Sequence, residues 1–294
     1  MRLQASETSF ASWLLSVGDG AAPKCQSNSE DKNDDGEVIV IDKRLLMQPS
    51  GNSLEQITKT AYMFNSESQT NFDYLTERAI LTPRNETVDE INAYMLSQVP
   101  GKLKEYSSYD SIAEADTKRP DYEALYPPEY LNSMEYPGLP KHKLSLKIGV
   151  SIMLLRNINQ KEGLCNGTRL IVTQMGERVI EGKIVTGTHA GNKVTVLPRI
   201  ILSPALEDHP FTLKRRQFPI RVCYAMTINK SQGQSLKSVV LYLPKPVFSH
   251  GQLYVALSRV KSPDGLSILQ DDEETDKGVR NIVYKEVFQN IPNY

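Results

Sequence analysis

Apolar residues change their spacing several times along the chain, and each spacing predicts a different element. In ETSFASWLLSVGDG (7–20), Phe10, Trp13, Leu14 and Val17 recur at helical intervals and Gly18 and Gly20 stop the run, which predicts a short amphipathic helix. A polar, acidic stretch, 23–36, reads as a solvated loop, and EVIVID (37–42) then alternates as a strand does. RAILTPRNETVDEINAYML (78–96) joins both patterns: a strand at 79–81, a turn at Thr82 and Pro83, then a helix that Asn85 can cap, with acids in its first turn. Strand, loop and helix in that order is the unit of an α/β sheet.

A Tyr- and Pro-rich stretch, 98–143, has no clear period and reads as an extended loop. From Leu144 the pattern becomes almost all strand, in LKIGVSIMLLRNI, TRLIVTQM, VIEGKIVTG and KVTVLPRIIL, with Asn166-Gly167 and Ala190-Gly191-Asn192 as tight turns. So many short strands predict a small barrel inserted into the α/β unit. IRVCYAM and SVVLYLP then return as buried strands, and GQLYVALSRV reads as a helix for which Ser249 offers a cap. The expected domains are therefore 1–143 and 216–294, together one α/β domain, with 144–215 inserted between them.

Composition suits a globular chain of one large or two moderate domains: 294 residues, 39% of them hydrophobic. A net charge of −1 is uninformative, but its distribution is not. Residues 209–263 contain no acid and carry Lys214, Arg215, Arg216, Arg221, Lys230, Lys237, Lys245, Arg259 and Lys261, whereas the acids crowd into 105–135. This predicts a face kept free of anions and attractive to phosphate. Cys25, Cys165 and Cys223 are odd in number and widely spaced, which supports neither a disulfide framework nor a zinc site. No apolar run approaches the ~18 residues that span a membrane, and MRLQASETSF has no signal-like apolar region.

Two stretches could carry chemistry. In AMTINKSQGQS, an apolar strand over 220–226 ends where Thr227 can cap a one-turn helix closed by Gly233. Hydroxyl and amide donors, a glycine and a helix start at a strand's end suit an anion, and an ordinary polar turn suits them equally. In SHGQLYVALSRVKS, Leu253, Ala256, Leu257 and Val260 share one stripe and Arg259 lies off it. Arg259 is then either a cation that complements the helix dipole or an arginine finger that reaches a phosphoryl group across a cleft.

In order, LTPRNETVDEIN, LSLKIGVSIMLLRNINQKEGLCNGTRLIV, RRQFPIRVCYAMTINKSQGQS and GQLYVALSRV resemble the second half of a Pif-type (petite integration frequency) DNA helicase. These belong to superfamily 1B and are related to the RecD and Helitron-transposon helicases. The resemblance implies a RecA-like (P-loop NTPase-type) second helicase domain with an inserted SH3-like β-barrel. It also implies ATP-driven 5′-to-3′ unwinding in DNA repair, recombination or telomere maintenance, and a nuclear or mitochondrial address. Thr227, Lys230, Ser231, Gln232 and Gly233 match the fifth motif: the first three as DNA contacts, Gln232 and Gly233 as couplers to the nucleotide. Asn229 stands where many relatives have His. Gln252, Tyr254 and Arg259 match the sixth motif, in which Arg259 meets the γ-phosphate, and Arg2 resembles a second phosphate-facing arginine. Thr82 and Asn85 match a corner that touches the DNA backbone.

Nowhere do these 294 residues contain G-x-x-x-x-G-K-[ST]; Gly101-Lys102 and Gly182-Lys183 are followed by Leu and Ile. The resemblance assigns the P-loop and the Mg²⁺-holding acid to an N-terminal RecA-like domain that precedes this region in full-length relatives. Expected partners are single-stranded DNA and that N-terminal domain, with no membrane, and the cofactor is ATP with its Mg²⁺ held by the other domain. The alternative is a non-catalytic nucleic-acid-binding module, such as a transposon-derived remnant.

Overall fold

The computed structural model describes residues 8–25, 36–62, 74–75, 77–113, 125–187, 190–191, 194–204, 210–271 and 278–285. The chain forms two units: Met1–Met95 with Tyr224–Tyr294, and Leu96–Cys223. The predicted break at Leu144 thus differs from the crossing at Leu96.

The first unit opens with α1 (Thr8–Gly18), β1 (Glu37–Ile39), α2 (Ser53–Ala61), β2 (Arg78–Thr82) and α3 (Asn85–Gln98). Phe10, Leu14 and Val17 are the buried stripe of α1, and Trp13, half-exposed, stacks on Phe10 at 5.6 Å. Residues 79–82 of β2 are all buried, as a strand covered on both faces must be. The helix after it starts one residue earlier than Asn85 would allow as a cap. Val88 N donates to Arg84 O at 3.3 Å, so Arg84 takes the cap position and Asn85 is the first helical residue, exposed.

The second unit contains β3 (Lys104–Ser107), β4 (Tyr109–Ile112), α4 (Pro128–Ser133), β5 (Lys143–Leu146), β6 (Ser151–Leu154), β7 (Arg169–Met175), β8 (Val179–Ile184), β9 (Val194–Pro198), β10 (Ile200–Leu202), β11 (Leu213–Gln217) and β12 (Ile220–Val222). Five strands form an antiparallel sheet in the order β12-β6-β7-β8-β9; β10-β11-β4 and β3-β5 form two smaller ones. The region 98–143 is therefore structured and not one extended loop. Its strands β3 (KEYS) and β4 (YDSI) are four residues long and mostly polar without alternation, and they pair with partners as distant as β11, so no local period marks them.

Residue pairing also corrects the expectation of an anion-free face. In the row Leu202–Arg215–Asp110, Arg215 is fully buried, and its Nε and Nη2 donate to the Asp110 carboxylate at 3.0 and 2.7 Å. Its remaining donors reach Pro140 O and Leu131 O, both at 3.1 Å. The acid comes from the acid-rich stretch and the base from the acid-free one. Lys237 likewise pairs with Glu77 at 2.6 Å. Of the nine basic residues, Lys214, Arg215, Arg216 and Arg221 lie in the second unit and the other five in the first.

Back in the first unit come β13 (Ala225–Thr227), β14 (Ser238–Leu243), α5 (Gln252–Leu257), β15 (Leu266–Gln270) and β16 (Val279–Asn281). The strand order is β13-β2-β14-β15, all parallel, while β1 pairs antiparallel with β16. The apolar run 220–226 is thus two strands in two sheets: β12 pairs with β6 and β13 with β2. A sequence window sees one run because both halves are buried; the chain passes between units at Cys223 and Tyr224. No described helix is long and apolar enough to cross a membrane.

Candidate nucleic-acid interface

Parallel sheets bind ligands at the carboxyl ends of their strands, where loops and helix starts converge. Here Thr82 ends β2 and Thr227 ends β13, and the two are direct partners in the parallel register. The segments leaving this edge carry Arg84 and, at the start of α3, Asn85 after β2, Lys230 in the turn after β13, and Lys245 and Phe248 in the loop after β14.

The position of β13 depends on a buried polar clamp. Asn92 of α3 accepts from Tyr224 N and Ala225 N, both at 2.9 Å, and its Nδ2 donates to Ala225 O at 3.1 Å. Tyr62 adds a hydroxyl donated to Tyr224 O at 2.9 Å. Asn92 escaped the sequence reading although it had a signal: it occupies an apolar-stripe position between Val88, Ile91 and Met95, where an amide must find partners.

After Thr227 the chain makes a 3-10 turn, Ile228–Ser231, and Thr227 does not cap it by its side chain. The turn closes itself: Ser231 is fully buried and its Oγ donates to Ile228 O at 2.6 Å. Ser231 thus shapes the turn, its side chain turned inward where the resemblance implies a DNA contact. Lys230 is half-buried, Asn229 and Gln232 are exposed, and Gly233 is exposed at φ +82°, a left-handed conformation that a side chain would disfavour. Thr82 has a buried hydroxyl without a hydrogen-bond partner. Such an orphaned group costs about 1–3 kcal/mol and calls for an explanation such as a ligand or an ordered water, and Thr227 beside it is also buried.

The sixth-motif stretch packs against this turn. Arg259 Nη1 donates to Ser231 O at 3.2 Å and Gln234 O at 3.1 Å, Nε to Val255 O at 2.7 Å, and Nη2 to Ser258 Oγ at 2.8 Å. Leu236 N returns a backbone bond to Arg259 O at 2.9 Å. Among the described residues no carboxylate joins these contacts. Burial holds the guanidinium below its usual pKa range, yet an arginine remains charged at neutral pH. Both motif stretches therefore meet, and four of the five guanidinium N–H groups bond to the protein itself.

Gln252 is buried, with Oε1 accepting from Phe248 N at 3.1 Å and Nε2 unpartnered. α5 begins after Gly251 at φ +67°, so the predicted cap Ser249 contributes only its carbonyl, to Gln252 N at 3.2 Å. Tyr254, half-buried, lies against Gly18 of α1, where an added Cβ would stand 3.1 Å from its ring. Arg2 lies outside the described residues. Among the described residues no three His, Cys, Asp or Glu side chains gather to hold a metal ion.

A family model described as DNA helicase Pif1, 2B domain, matches residues 129–175. Human ATP-dependent DNA helicase PIF1 is 30% identical over 181 residues, 62% of this chain and 25% of that protein. The Bdellovibrio bacteriovorus ATP-dependent DNA helicase Pif1 is 32% identical over 162 residues, 54% of this chain and 35% of that protein. The chain spans about a quarter of the length of the vertebrate relatives it matches. In fold, the crystal structure of Pif1 helicase from Candida albicans superposes with a TM-score of 0.57 at 20% identity, covering 97% of this chain and 57% of that one. That likeness gives the fold class, an α/β fold of the RecA-like helicase type. In motif order, family model and fold together, this chain resembles the C-terminal part of the Pif1-type superfamily 1B helicases.

Proposed function

We propose that the first unit is the second RecA-like lobe of an ATP-dependent 5′-to-3′ DNA helicase and that the carboxyl edge of its parallel sheet grips single-stranded DNA. The observation that carries this is the pairing of Thr82 with Thr227 at the ends of adjacent strands, beside Arg84 and Asn85 at the start of α3 and Lys230 in the turn after β13. A hydroxyl, an amide and cations donate to phosphate without reading sequence. In this reading the five-stranded sheet of the second unit is the SH3-like insertion, and the setting is repair, recombination or telomere maintenance in the nucleus or mitochondrion.

ATP would stand between this lobe and a P-loop lobe that supplies the phosphate cradle and the Mg²⁺ ligands; this chain's part is the Arg259 charge. The test adds the first RecA-like domain of a relative in trans, with Mg-ATP and single-stranded DNA. Stimulated hydrolysis that disappears in Arg259→Ala supports the assignment. Equal turnover by the chain alone, or indifference to Arg259, contradicts it. One observation favours the non-catalytic reading: the donors of Arg259 are already satisfied within the turn. Under that reading DNA binding persists and no added domain elicits turnover.

A further inference from the structure

The loop that follows β14 sends a large apolar side chain into solvent. Phe248 is 52% exposed, whereas the neighbouring Val247, at 2%, roots the loop in the core. The Phe248 backbone is pinned as well, since its N–H is held by the buried Gln252 carbonyl oxygen at 3.1 Å. Over the ring lies the Arg84 guanidinium, with Cζ 5.3 Å from the centroid. Arg84 sits between Thr82 and Asn85, so the pair joins the loop after β2 to the loop after β14, the neighbouring strand, at one edge of one sheet.

A cation and an aromatic ring attract each other, but that attraction does not require an exposed phenyl group on an anchored loop. An unstacked nucleobase does use one: its π-face stacks on an aromatic ring or a guanidinium plane, whatever the base. We infer that Arg84 and Phe248 form a nucleobase-stacking station on the single-strand track, with the Phe248 ring taking the face of a base and Arg84 the adjoining phosphate. This rests on the DNA-gripping role of the same edge and adds to it a contact with the base. The track then senses whether a base is present, not which base it is.

Oligothymidylate and an oligomer of abasic residues of equal length separate the two contributions. Their binding to the full chain is measured by fluorescence anisotropy for the parent, Phe248→Ala, Phe248→Leu, Phe248→Tyr and Arg84→Ala. The parent is expected to prefer oligothymidylate. Phe248→Ala and Phe248→Leu should lower affinity for it about 5- to 100-fold, leaving the abasic oligomer unchanged, and Phe248→Tyr should retain the preference. Arg84→Ala should weaken both ligands. Phe248→Leu keeps the apolar bulk without the π-face, so its loss is not a folding effect. If the Phe248 variants bind both oligomers as the parent does, or lose both equally, the station is overturned while phosphate gripping stands. A parent that binds neither oligomer overturns both.

Discussion

Two arginines, one in each unit, show what burial does to a charge. Arg215 lies in the second unit, 1% exposed, with the Asp110 carboxylate spanning its Nε and Nη2 and two carbonyls taking the rest. Arg259 lies in the first unit, half-buried, and bonds three carbonyls and a hydroxyl, with no acid among its described partners. Carbonyl dipoles solvate a guanidinium without cancelling it. Arg215 is therefore a neutralised lock, whereas Arg259 keeps its positive charge beside the turn that carries Lys230. The same residue type in the same acid-free stretch serves structure in one place and leaves a field for phosphate in the other.

The largest expected effect breaks the lock. Asp110→Ala leaves a buried guanidinium without its counter-ion and should cost about 3–5 kcal/mol in chemical denaturation. Replacing both partners, Asp110→Leu with Arg215→Met, should recover most of that loss. A smaller loss, about 2–3 kcal/mol, is expected for Asn92→Ala, which orphans the two N–H groups and the carbonyl that the amide satisfies on entry to β13. Denaturation read alongside DNA affinity should show both falling, because Thr227 is positioned through β13.

Arg259→Ala should cost about 1–3 kcal/mol, since solvent can reach part of what it abandons. Arg259→Lys should not restore stability, because one ammonium cannot span the acceptors that the planar fork reaches. The smallest effect falls outside the arginine pair. Tyr242 donates its hydroxyl to Asp271 Oδ2, and Asp271 Oδ1 accepts from Ser53 Oγ at 2.7 Å. Burial first, then the bond to Asp271, pushes the Tyr242 phenol well above its usual range. A raised folded pKa means that its stabilisation is fully present below the unfolded value near 10 and is lost as pH rises through the folded one. Tyr242→Phe should thus cost about 1 kcal/mol at neutral pH, and should flatten the alkaline loss of stability in a pH series.

The elements most legible in the sequence were those whose signal is local. RAILT and SVVLYL are buried on both faces and read as strands from their apolar runs alone. LKRRQ of β11 hid its strand, because Arg215 occupies an inward position that a pattern of apolar residues cannot reveal; only Asp110, from a distant stretch, makes that position tolerable. The motif residues Thr82, Thr227, Lys230 and Arg259 were legible by type and spacing. Their environments were not. Ser231 turned inward onto Ile228 O and Arg84 replaced Asn85 as the cap through contacts only three and four residues apart, which residue type does not dictate, and Phe248 came to face solvent beside Arg84 of a distant stretch.

The central claim is that the carboxyl edge of the parallel sheet holds phosphate by charge. It is tested most directly by the affinity of the full chain for oligothymidylate across a salt series. Log affinity should fall linearly with log salt, with a slope of about −0.7 for each phosphate neutralised, and Lys230→Ala and Arg84→Ala should each make the slope shallower. A slope unchanged by both substitutions would contradict the claim.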